Sequence, residues 1–224
     1  MQKNSEAKVL YKSNSPEIDM PNAQAEIERM GEVDRFSNDE LERLKIVSGS
    51  MHNSKILNVF RELRTQLLTI NKKKNFVCMV SSISQGGGGS FVASNLAAVF
   101  ALDKTKTSLL IDANLYSPSL NKLIIGDSES GITDYLGDGR LDIKDVVYAT
   151  GIPRLRVIPI GENREAAAEY FSSDKMQSFI EEIHTRYSDR YVFIDAPSIL
   201  DSSEARILAE IVDMVILVVG HACV

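Results

Sequence analysis

Short, continuously apolar runs punctuate the chain at 76–82, 108–111, 155–160, 191–194 and 214–219, separated by longer stretches of helical spacing. Runs that are apolar throughout, without polar alternation, predict strands of a parallel sheet covered on both faces. Residues 90–102 are small or apolar nearly all round, as in a helix wedged against a sheet. The segment 174–187 puts Met176, Phe179, Ile180, Ile183 and Tyr187 on one helical face, and 203–212 predicts a further helix. Upstream, Ile56, Phe60, Leu63, Leu67 and Ile70 recur every three or four residues, one stripe of an amphipathic helix that Lys72, Lys73 and Lys74 end. The predicted class is α/β, a mostly parallel sheet with helices on both faces.

Residues 1–50 read differently. They carry seven Lys/Arg and ten Asp/Glu with no sustained apolar period, which predicts a mostly disordered segment with a short helix at 22–30. The domain then runs over 51–224. Its pattern stops straight after the fifth apolar run, where a doubly wound domain normally places another helix. The domain is therefore expected to lack its C-terminal end, or to have its sheet covered by a partner.

Composition narrows the classes. A net charge of −6 over 224 residues offers no cationic surface for nucleic acid. No run of 18 apolar residues occurs, and the first eight residues lack the apolar centre of a signal peptide. Cys78 and Cys223 make neither a disulfide framework nor a zinc site, and His52, His184 and His221 are scattered. A cytoplasmic protein is the expectation.

Ligands of open parallel sheets sit beyond the carboxyl ends of the strands. Gly86, Gly87, Gly88, Gly89 and Ser90 fall there, between a predicted strand and a helix, as do Asp112 with Asn114, and Asp195. Successive glycines let consecutive N–H groups turn toward one point, and a helix N-terminus adds positive potential. Two acids closing separate strands beside such a turn suit Mg²⁺ on a phosphate, with Ser90, Asp112 and Asp195 as the metal-side groups. A dinucleotide fingerprint starting at Gly86 would need glycine where Phe91 stands, and would leave Asp195 without a role.

The residues 80–90 (VSSISQGGGGS) followed by Asn95-Leu-Ala resemble the Walker A loop and first helix of MinD/ParA-like P-loop proteins. More narrowly, they resemble the cytoplasmic domain of bacterial tyrosine autokinases (BY-kinases) of exopolysaccharide synthesis and export. Residues 109–114 (LLIDAN) with Pro118-Ser-Leu resemble that family's second Walker motif, A′, and 191–197 (YVFIDAP) its Walker B. Residues 131–136, 157–161 and 208–219 match intervening pieces in order, and Phe60-Arg-Glu-Leu-Arg-Thr resembles the leading helix that packs subunits into a ring. The resemblance covers about residues 54–220.

It implies a P-loop NTPase-like sheet, ATP or ADP with Mg²⁺, and Asp112 as the catalytic residue if the enzyme is active. It also implies a homo-oligomer contact through Arg61 and Arg64. The implied partner is a membrane chain-length or export protein, which would hold the chain at the inner face of the cell membrane.

Departures from the family are equally specific. Gly89 stands where the loop lysine belongs, Ile83 fills the first loop slot, and Ser84 and Gln85 replace the early lysine of MinD-like proteins. Asn114 replaces the second acid of A′, Tyr116 and Ser117 replace arginines, and Asn58 replaces the glutamate opening the leading-helix motif. Asn163-Arg-Glu stands in for a proline-rich stretch, and no tyrosine follows Tyr191. Together they imply a kinase-like regulatory component with weak or absent phosphoryl transfer. The alternatives are an active tyrosine autokinase using a substitute cation, such as Lys122 or a neighbour's arginine, and a MinD/ParA-like positioning ATPase.

Overall fold

The computed structural model describes residues 35–50, 54–72, 74–163, 167–186 and 189–220. The predicted helix at 22–30, and His52, Tyr187, His221 and Cys223, lie outside the described residues.

Six strands form one sheet: β1 (Val77–Ser82), β2 (Thr107–Asp112), β3 (Tyr148–Ala149), β4 (Leu155–Ile158), β5 (Arg190–Asp195) and β6 (Met214–Val218). Their order is β3-β4-β2-β5-β1-β6. All neighbours are parallel except β3, which runs antiparallel to β4. The five predicted strands are present. The two-residue β3 carries no apolar run for sequence reading to find.

Helices cover both faces. On one side lie α1 (Asn38–Arg43), α2 (Lys55–Ile70) and α3 (Gly89–Phe100); on the other lie α4 (Ile132–Gly137), α5 (Ala167–Phe171), α6 (Asp174–Arg186) and α7 (Ser203–Glu210). The pleat divides each central strand between two cores: Cys78, Val80, Leu110 and Phe193 face α3, while Val77, Met79, Leu109, Ile111 and Ile194 face α4–α7. Fully buried Phe76, Phe100 and Phe193 meet edge-on or tilted, with centroids 5.1 to 5.9 Å apart.

Two expectations are corrected. Residues 35–50 were expected to lack order, yet they carry α1, opened by a capping box between Ser37 and Glu40. Leu41, Ile46 and Val47 are buried against α3. Fully buried Asn95 of α3 holds this segment: its Oδ1 accepts from Val47 N at 2.7 Å, and its Nδ2 donates to Lys45 O at 3.0 Å and Phe91 O at 2.9 Å. A few apolar residues without a period suffice when a preformed apolar face receives them.

The stripe of α2 is also rotated. Leu57, Phe60 and Leu67 are buried, whereas Ile56 and Ile70 are 55% and 70% exposed. On β6 the faces differ as well: Val215 and Leu217 are exposed, as is Val219 just after it, so this edge strand is not covered on both sides by described residues.

Candidate functional site: a glycine turn and two strand-end acids

The β1–α3 turn is built by glycine geometry. Gly86 (φ 75°) and Gly88 (φ 93°) occupy the left-handed region. A Cβ on Gly87 would lie 2.9 Å from Ser82 Cβ and Ser84 O, so no side chain fits there without displacement. The turn is braced from three sides: Ile83 N donates to Val218 O at 3.1 Å, Ile199 N to Ser82 O at 2.9 Å, and Ser81 Oγ to Pro197 O at 2.6 Å. Gly88 caps α3 without a side chain, so no side chain caps the N–H groups of the first turn.

Beneath the turn, β1, β2 and β5 end together. Asp195 is register partner to both Val80 and Asp112. The two acids are fully buried but bonded differently. Asp112 Oδ1 accepts from Asn114 N at 3.0 Å, and Oδ2 from Ser119 N at 3.0 Å and Leu120 N at 3.1 Å. Asp112 thus anchors the loop after β2. Asn114 continues that loop, its Oδ1 accepting from Ser117 N at 3.1 Å.

Neither oxygen of Asp195 has a well-formed hydrogen bond. Burial pushes its pKa up to about 7, against the pull of the Ser90 hydroxyl; the Asp112 charge adds to the rise and Lys122 opposes it.

Above the acids opens a cleft of about 480 Å³, lined by Gly86, Gly88, Gly89, Ser90 and Asn114 among others. Gly87, Asp112 and Asp195 are not among its lining residues; the two acids are buried at the adjoining strand ends. Sequence reading missed Phe91, Tyr116, Pro197, Ser198, Asp201 and Ser202, which also line it. All but Phe91 follow a strand-end acid by two to seven residues, the signal that could have found them. Tyr116 Oη lies 3.4 Å from both carboxylate oxygens of Glu204, tying the loop after β2 to α7. Among the described residues, no lysine or arginine lines the cleft.

The arrangement fits a phosphate with Mg²⁺. The glycine turn and uncapped helix offer N–H groups to the anion, and Ser90, which lines the cleft beside Asp195, suits a hard cation. Among the described residues no three His, Cys, Asp or Glu cluster as a protein-only metal cage.

The two arginines part company. Arg64 is half-buried and pairs with Asp103 at 3.0 Å, its guanidinium 5.5 Å from the Phe100 ring centroid. It is engaged within the chain through Asp103. Arg61 is exposed.

No family model matches the chain. The curated tyrosine-protein kinase CpsD of Streptococcus agalactiae serotype III is 30% identical over 182 residues, covering 79% of this chain and 75% of that protein. The tyrosine-protein kinase ptk of Acinetobacter johnsonii is 26% identical over 163 residues; there the match covers 72% of this chain but only 22% of the longer relative. Among solved structures, the kinase domain of the Escherichia coli tyrosine kinase ETK superposes with a TM-score of 0.68 at 27% identity, covering 75% of this chain and 66% of that one. The cell-division ATPase MinD of Pyrococcus furiosus (TM-score 0.53, 21% identity, 63% of this chain and 58% of that one) shares the fold, which is P-loop NTPase-like. By its identity to CpsD across three quarters of that protein, the chain belongs to the bacterial tyrosine-protein kinase family.

Proposed function

We propose that this chain is a kinase-like regulatory component of exopolysaccharide biosynthesis or export. In this reading it holds ATP or ADP with Mg²⁺ in the glycine cleft and transfers phosphoryl groups weakly or not at all. One observation carries the reading: the cleft keeps its turn and its uncapped helix, but among the described residues no lysine or arginine lines it. Gly89, just before Ser90, offers only backbone where the family's loop lysine would stand.

Each group has a part in this reading. The N–H groups of the turn receive phosphate oxygens, and Ser90 and Asp195 face the cation. Asp112 holds the loop of Asn114 in place through its three backbone bonds. Bound with Mg²⁺, ATP supplies a transferable phosphoryl group. Losing one charge-assisted hydrogen bond weakens binding by about 1.5–3 kcal/mol. The transition state, where charge moves, loses roughly 2.7–4 kcal/mol from one missing preorganised donor. Binding therefore survives where transfer fails.

The rest of the proposal concerns assembly. Its parts are a homo-oligomer contact through Arg61 and Arg64 and a membrane chain-length or export protein as partner at the inner face of the cell membrane. Among the described residues no helix is long and apolar enough to cross a membrane. A second reading, a tyrosine autokinase with a substitute cation, is favoured by the kinase names of the relatives.

Calorimetry with Mg²⁺·ADP and Mg²⁺·ATP, combined with radioactive phosphate incorporation, separates the readings. The parent is expected to bind both nucleotides and to label itself at least a hundredfold more slowly than Gly89→Lys. A Cβ at position 89 lies 3.2 Å from Ser82 N, so the turn must yield by a few tenths of an ångström in that variant. Brisk labelling by the parent, abolished in Asp195→Ala, would establish the second reading. Absence of nucleotide binding would sink both.

A further inference from the structure

We propose that the end of the sheet where the parallel strands begin, opposite the glycine cleft, is a cationic face that docks on an anionic lipid surface. The inference goes beyond the reading of the cleft and stands without nucleotide binding there.

Loops that lead into the strands of a parallel sheet gather at one end, and those that leave toward the ligand gather at the other. The loop into β2 turns around Asp103, whose Oδ1 accepts from Thr105 N at 2.9 Å and from Thr105 Oγ1 at 2.8 Å. It presents Lys104, which is exposed, and Lys106, which is half-buried. Arg154, in the loop into β4, binds the two loops together: its Nε donates to the Ala101 and Asp103 carbonyls at 3.0 Å each. Phe36 N donates to Gly151 O at 3.0 Å, which sets the exposed Arg35 beside that loop. On the other flank, the loop into β1 presents exposed Lys72 and Lys74, held where Asn71 Nδ2 donates to the Lys74 and Asn75 carbonyls.

Acids at this end are already engaged. Asp103 pairs with Arg64 at 3.0 Å, Asp189 Oδ2 accepts from Thr107 Oγ1, and Asp213 Oδ2 accepts from Val77 N with His184 3.8 Å away. Glu210 closes α7 beside β6, three strands from β2. Lys72, Lys74, Lys104 and Lys106 form no ion pair with a described residue. The opposite end is acidic. It holds Asp112 and Asp195 and, beyond β4, a hollow of about 580 Å³ lined by Glu129, Asp134, Asp138 and Glu162, where Arg140 is taken up by Asp138. The net charge of −6 conceals this polarity: an anionic surface draws one end of the chain and repels the other. Lysines on separate loops, each on a flexible stem, suit a fluid surface whose headgroups rearrange to meet them. Docked this way, the chain holds its glycine cleft away from the lipid.

Flotation with vesicles of phosphatidylcholine alone, and of phosphatidylcholine with phosphatidylglycerol at roughly two to one, tests this with no partner protein present. The parent is expected to float with the anionic vesicles only, and to be released as salt rises. Each lysine near such a surface contributes about fivefold, so Lys104→Gln/Lys106→Gln is expected to bind about tenfold more weakly or worse, as is Lys72→Gln/Lys74→Gln on its separate loop. Arg140→Gln/Lys144→Gln, the same charge change at the opposite end, is expected to stay within about twofold of the parent. All three are expected to keep the parent's melting temperature. A parent that ignores the anionic vesicles overturns the inference, as does equal binding to neutral ones or parent-like binding by both lysine pairs. An equal loss in Arg140→Gln/Lys144→Gln also overturns it, because net charge then decides instead of this face. None of these results touches the membrane-protein partner, which the vesicles lack, or the cleft, whose failure shows instead in calorimetry with Mg²⁺·ADP.

Discussion

Asp195 holds its proton more tightly in the folded chain than in the unfolded one, because burial raises its pKa from 3.8 to about 7. Its favourable contribution is complete below pH 3.8 and is lost as pH rises through 7. Asp195→Asn, which keeps the neutral shape, is expected to raise the melting temperature by an amount that grows from pH 4 to pH 7 and then levels off. The plateau is on the order of a few kcal/mol, read from thermal melts across that range. The same variant is expected to lose the extra stabilisation that Mg²⁺·ADP gives the parent, because the amide no longer favours a cation. In sequence Asp195 and Asp112 look alike, each closing an apolar run. The fold separates them by giving Asp112 three backbone donors and Asp195 no well-formed hydrogen bond.

At the scale of elements, α3 does two jobs. Its N-terminus forms one wall of the cleft, and one turn further on Asn95 clasps the segment before α2. Asn95→Leu leaves the buried Val47 N, and the part-buried Lys45 and Phe91 carbonyls, without that partner. The expected cost is about 1–3 kcal/mol in chemical denaturation, with faster amide exchange confined to 44–50. Protection there equal to the parent's would contradict the clasp. The period-three-and-four pattern of α2 was readable, but the burial of Leu57 instead of Ile56 was not. Two apolar stripes overlap on that helix, and its packing against α3 selected one of them.

For the whole molecule, the two arginines of α2 give a separable test. Arg64 bridges α2 to Asp103, beyond the end of α3, so Arg64→Ala is expected to destabilise the fold by roughly 1–2 kcal/mol through lost pairing and ring contact. Arg61→Ala is expected to leave stability unchanged and to shift sedimenting mass toward smaller species. An unchanged distribution would remove Arg61 from the proposed contact between copies.

The sequence by itself determined the layers, because a strand buried on both faces must be apolar throughout and a helix on a sheet must be apolar along one side. It also determined the glycine turn, since only glycine adopts its φ angles and close approaches without strain. Only the tertiary structure decided that residues 35–50 join the core, that Arg64 pairs inward, and which strand-end acid remains without a well-formed hydrogen bond. Those outcomes depend on partners 39 to 50 residues away along the chain, or on how the backbone turns after a strand. No local period of polar and apolar residues encodes such distances.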